Sequence, residues 1–90
     1  MKGLVFTNHS KNRIKELGLK EIDVLKKFRN SSEIKLPSWL KGYKTEKYWD
    51  KQGDIHYFFN KGLLFTVNDA GEYYVLVTIT EKDRKQVKFK

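Results

Sequence analysis

Two periodicities divide this chain. Residues 3–6 are prone to extended structure, since Val5 and Phe6 both favour a strand. From residue 8 to 17 the apolar spacing lengthens, so that Ser10, Ile14 and Leu17 fall on one side of a helix. Thr7 is the expected cap, and Gly18 supplies the left-handed position that ends the helix. A second helix is predicted over about residues 20–29, with Ile22, Leu25 and Phe28 at helical spacing and Leu19 and Val24 beside them. Glu21 and Asp23 open it and Lys26, Lys27 and Arg29 close it, the order the helix dipole favours.

After Asn30-Ser31-Ser32 the pattern is weaker. Ile34 and Leu36 suggest a brief extended piece before Pro37, and Trp39 and Leu40 are expected to pin the loop. From about residue 43 the period becomes two. Strands are predicted over 43–50, 55–60, 63–68 and 73–80, joined by turns at Gln52-Gly53-Asp54, Asn60-Lys61-Gly62 and Asp69-Ala70-Gly71-Glu72. Turns this short imply hairpins. The expected architecture is α+β, with two N-terminal helices packed on an antiparallel four-stranded β-meander.

Alternation assigns the faces. Ile55, Tyr57 and Phe59 group with Leu63, Phe65 and Val67 and with Val75, Val77 and Ile79 as the apolar face expected to take the helices. His56, Phe58, Leu64, Thr66, Tyr74, Leu76, Thr78 and Thr80 form a mixed face, read as a substrate surface or a partly solvated sheet. Residues 86–89 are read as an edge strand or a free end.

Composition narrows the picture. Ninety residues, 39% of them hydrophobic, make one domain spanning 1–90, with 82–90 as a basic tail. The absence of cysteine excludes a disulfide framework and a thiolate metal site, and two histidines with scattered carboxylates make a metal cage unexpected. No cofactor is called for. No apolar run is long enough for a membrane span, and the N-terminus lacks a signal-peptide pattern, so a cytoplasmic protein or a detached toxin-like domain is expected.

The net charge of +8 is unevenly placed, with an excess on residues 1–30 and on the tail and near balance between them. Such a field attracts polyanions by counterion release. His9 and Arg13, four apart at the edge of the first helix's inward stripe, suit phosphate chemistry: the guanidinium holds the anion and the imidazole moves a proton. The plainer reading is a backbone-bonded His and a solvated Arg, and Glu16 is spaced to pair with Arg13.

The run Phe6-Thr7-x-His9-Ser10-x-x-Arg13-Ile14-x-Glu16-Leu17-Gly18-Leu19, followed by Asp23-Val24, resembles the front signature of a widespread small domain family of unknown function. That family is placed near the RelE/ParE-type and BrnT-type toxins in the barnase–EndoU–colicin–RelE superfold. The likeness spans about residues 4–81; it departs at Leu17, where many members carry Arg, and in the loop at 31–43. The resemblance implies two helices on an antiparallel sheet and metal-independent ribonuclease activity, and it carries over His9 and Arg13 alone.

Three functions are weighed. As a ribonuclease, the chain would use His9 and His56 as acid and base if the fold brings them together, with Arg13 on the phosphate. Lys11 or Lys51 would assist, and Tyr57, Tyr74, Thr78 or Thr80 would supply a hydroxyl. As a non-catalytic nucleic-acid module, it would bind RNA through its basic ends and stack bases on exposed aromatics. As an interaction domain, it would dock an acidic antitoxin or immunity partner.

Overall fold

The computed structural model describes residues 2–35 and 55–90. The expected strand at 43–50, the turn at 52–54, the Pro37–Trp39 loop and Lys51 lie outside the described residues. In chain order the elements of the described residues are β1 (Gly3–Phe6), α1 (Asn8–Glu16), α2 (Glu21–Arg29), β2 (Ser32–Ile34), β3 (Ile55–Asn60), β4 (Leu63–Asp69) and β5 (Tyr73–Glu81), followed by a 3₁₀ turn (Arg84–Gln86). The class is α+β, as the pattern predicts. Among the described residues the sheet differs from the expected meander: five strands lie in the order β1-β5-β4-β3-β2, and it is mixed because β1 runs parallel to β5.

Both helices form where their local signals place them. Thr7 caps α1 by accepting the backbone N–H of Ser10, while the Ser10 hydroxyl accepts the N–H of Thr7. Ser10 and Ile14 are buried and Leu17 packs beside them. Gly18 adopts φ +72°, the left-handed conformation expected at the helix end. In α2 the inward stripe is Val24 and Phe28, one turn apart. Ile22, expected on that stripe, points outward and is 57% exposed.

Strand phase departs from the expected grouping of faces. The β3–β4 turn is Lys61-Gly62 alone, at φ 44° and 86°, a two-residue connection with both residues in the left-handed region. It pairs Asn60 with Leu63, so Phe58 faces Phe65 and Tyr57 faces Thr66. Even positions of β3 therefore share a face with odd positions of β4, the reverse of the expected grouping. A bulge then leaves Val77 as an extra residue between the pairs Val67↔Leu76 and Thr66↔Thr78. It lets Leu76 and Ile79 turn to the same side.

The helices consequently cover the face of Phe58, Leu63, Phe65, Val67, Leu76 and Ile79, to which Ile14, Val24 and Phe28 add the helical half of the core. Phe28 meets Phe58, Phe65 and Tyr74 edge-on, with centroids 5.2, 5.5 and 5.7 Å away. The Tyr57 and Phe59 face, expected to take the helices, instead packs with Ile34, Leu64 and the tail residue Val87. The tail is tied to β2. Phe89 bridges Ile34 and packs against Phe59, Lys35 donates its N–H to the Lys88 carbonyl, and Lys90 donates its own to Glu33.

Candidate functional site

His9 and Arg13 lie on α1, which runs beside β5. Thr7 ties the start of the helix to the sheet, its hydroxyl donating to the Leu76 carbonyl at 3.1 Å. β1 ends at the pair Phe6↔Leu76, so the edge of β5 beyond Leu76 has no β1 residue beside it. Arg13 serves that edge: its Nε donates to the Ile79 carbonyl at 3.3 Å and its Nη1 to Glu16 Oε2 at 3.0 Å. The guanidinium is thus shared between backbone and a local carboxylate. His9 and Lys11 are exposed to solvent.

His56 has different surroundings. It lies on β3 on the helix-facing side, at the end of the sheet where β1 and β5 begin and β2 ends. Glu33 of β2 pairs with Phe58 in register and reaches His56, with its Oε2 2.8 Å from Nδ1. The imidazole meets the Tyr74 ring at 6.3 Å and 63°, and Tyr74 is backed edge-on by Phe58 and Phe28. Beyond Tyr74, the Lys2 ammonium stands 4.9 Å from the ring centroid and pairs with Asp69. Lys90 pairs with Glu33 from the tail side. A continuous polar row therefore crosses the sheet from Asp69 and Lys2 through Tyr74 and His56 to Glu33 and Lys90.

The row is half-open, with the side chains of Lys2, Asp69, His56 and Glu33 each between 25% and 34% exposed. Burial alone would raise the Glu33 pKa, but hydrogen bonds from His56 and Lys90, with their charges, outweigh it and hold the carboxyl below its ordinary value. Asp69 is held low by Lys2 first and by the Gly71 backbone N–H second. Both groups are therefore carboxylates at neutral pH, and both accept hydrogen bonds.

The register separates the two histidines. His56 pairs with Val67, Val67 with Leu76, and Leu76 with Phe6. Three strand steps at about 4.8 Å put roughly 14 Å between the α-carbons of His56 and Phe6. From Phe6 the chain enters α1 and moves along β5 toward Ile79. His9 thus belongs to the β1–β5 side of the sheet and His56 to the β3 side. Tyr74 joins His56, whereas Thr78 and Thr80 do not: they pair with Thr66 and Leu64 on the opposite face. The bulge at Val77 causes this change of side.

No known protein family, curated protein or solved structure matches the chain. Its own geometry therefore carries the reading. Among the described residues no group of three or more His, Cys, Asp or Glu side chains is gathered to hold a metal ion, and no helix is long and apolar enough to cross a membrane. Sequence reasoning missed Glu33, Lys2, Asp69 and Lys90. Glu33 carried one usable signal, a lone carboxylate in a short extended run, but only the β2–β3 register brings it to His56.

Proposed function

We propose that this domain binds RNA and cleaves it without a metal ion, in the manner of the small RelE/barnase-like toxins that its front motif resembles. The observation that carries this reading is the half-exposed imidazole of His56, backed by the Glu33 carboxylate at 2.8 Å and bordered by Tyr74 and Lys2. In the reaction the ribose 2′-oxygen attacks phosphorus and the bond from phosphorus to the 5′-oxygen breaks, giving a 2′,3′-cyclic phosphate and a free 5′-hydroxyl. His56 takes the 2′ proton as general base, Tyr74 is the neighbouring hydroxyl that protonates the leaving oxygen, and Lys2, exchanging its Asp69 partner for the phosphate, offsets charge on the phosphorane. The exposed His9, Lys11 and Lys15 of α1 hold phosphates of the flanking chain.

The test is cleavage of a single-stranded RNA with excess EDTA present. Wild type is expected to release cyclic-phosphate ends, and His56→Ala to lose about 10²- to 10⁴-fold in rate. Equal cleavage by wild type and His56→Ala refutes the assignment. A second reading, RNA binding without cleavage, draws on the engagement of Arg13 by Glu16 and Ile79, which occupies the cation that the motif would offer to a phosphate. Binding that weakens steeply with salt, with no cleavage product, would favour it. An acidic protein partner would compete with RNA for the same cationic helix surface.

A further inference from the structure

The polar row converges on one carboxylate. Glu33 stands where three parts of the chain meet: its own strand β2, His56 on β3, and the C-terminal Lys90. An ionised carboxylate has no hydrogen to donate. The contact between Glu33 Oε2 and His56 Nδ1 therefore requires the hydrogen to sit on Nδ1 whenever the imidazole is neutral. That leaves Nε2 with its lone pair as the basic nitrogen. Glu33 is in turn held by the tail. Lys90 pairs with its side chain and donates a backbone hydrogen bond to its carbonyl at 3.2 Å. Phe89, packed on Phe59 and covered by the Arg84 guanidinium at 4.5 Å, keeps that segment in place.

We infer that Glu33 and the docked C-terminal segment together act as the positioning unit of His56, fixing its neutral ring as the Nδ1–H tautomer with Nε2 directed to the substrate. The inference rests on the ribonuclease reading for its purpose, but the tautomer is measurable without RNA. A carboxylate that accepts from one ring nitrogen orients the imidazole and stabilises the imidazolium that forms when the other nitrogen takes a proton. The charged groups facing His56 from the described elements packed around it are Glu33 on β2, Lys90 on the tail, Asp69 on β4 and Lys2 before β1, with the Tyr74 phenol on β5.

The experiment is long-range ¹H–¹⁵N correlation NMR of the intact chain, recorded above the imidazole titration seen in the same spectra. His56 is identified as the signals lost in His56→Ala. Wild-type His56 is expected to show the Nδ1–H pattern, Glu33→Ala to revert to the Nε2–H form ordinary for a free imidazole, and Lys90→Ala to lose part of the Nδ1–H population. An Nε2–H pattern in wild type overturns the inference, and does so even if Glu33→Ala fails to fold. An unchanged Nδ1–H pattern in Glu33→Ala also overturns it, and an unchanged pattern in Lys90→Ala removes the tail from the unit. Where RNA is cleaved, Glu33→Ala is expected to lower kcat at least tenfold with KM unchanged, and a change in KM alone overturns the positioning role. An Nδ1–H ring in a protein that does not cut RNA would sink the ribonuclease reading and leave the positioning unit standing.

Discussion

Phe28 is the side chain on which the helical half of the fold and the backing of the candidate site both depend, so Phe28→Ala is the most exacting test of the packing. The ring is 2% exposed and meets Phe58, Phe65 and Tyr74 edge-on. Truncating a buried Phe costs about 3–5 kcal/mol through lost transfer energy and the cavity left behind. Three edge-on ring contacts, each worth roughly 0.5–1.5 kcal/mol beyond area, place this site at the upper end, near 4–5 kcal/mol. A chain of 90 residues has a total stability of about 5–13 kcal/mol. The variant should therefore be marginal, with a melting point roughly 16–40 °C lower. Urea unfolding followed by far-UV circular dichroism measures the loss directly. Ile22→Ala, at a position 57% exposed on the same helix, is the control and should change stability by less than about 0.5 kcal/mol. A loss under about 2 kcal/mol for Phe28→Ala, or equal losses for the two variants, would refute the account of the core.

Thr7→Ala removes both the α1 cap and the hydroxyl donated to the Leu76 carbonyl, and should cost about 1–2 kcal/mol in urea unfolding. Arg13→Lys keeps the charge but loses the planar fork to Ile79 and Glu16; it should cost about 1 kcal/mol of stability while leaving the salt dependence of RNA binding unchanged. Glu33 is held below its ordinary value of 4.5, so its contribution to stability is present above pH 4.5 and is lost as pH falls through the lower folded value. Urea midpoints measured at pH 7, 4.5 and 3 should fall less steeply for Glu33→Gln than for wild type.

How much of this was legible depended on the range of the signal. The helices were readable because caps and stripes act within one or two turns: Thr7 with Ser10, Ile14 with Leu17, and Gly18 at the end. The hairpin strands followed from alternation and tight turns. The parallel pairing of β1 with β5 was not readable, because its partners are about 70 residues apart in the chain and nothing local to residues 3–6 specifies them. The faces failed for a smaller reason. A two-residue Lys61-Gly62 turn and a three-residue turn differ by one position, and one position exchanges the two sides of a strand. That step, with the bulge at Val77, placed the helices on the His56 side and moved Thr78 and Thr80 to the other.

The front motif gains a physical account from the same geometry. Thr7 and Arg13 are six residues apart, which is about 9 Å along a helix. The carbonyls they reach, Leu76 and Ile79, are three residues apart, which is about 10 Å along a strand. A helix laid beside β5 therefore brings one donor to the Leu76 carbonyl and another to the Ile79 carbonyl of the strand edge. The Thr-x₅-Arg spacing is what edge-capping requires, because an unpaired β edge invites association with other chains and these two side chains blunt it. His9 and Lys11, at positions between them, face solvent and serve no part of that edge. The motif thus divides into residues that close the sheet and residues left over for a ligand. Substitutions in the first set should register in stability and, if the chain binds RNA as proposed, substitutions in the second should register in RNA affinity.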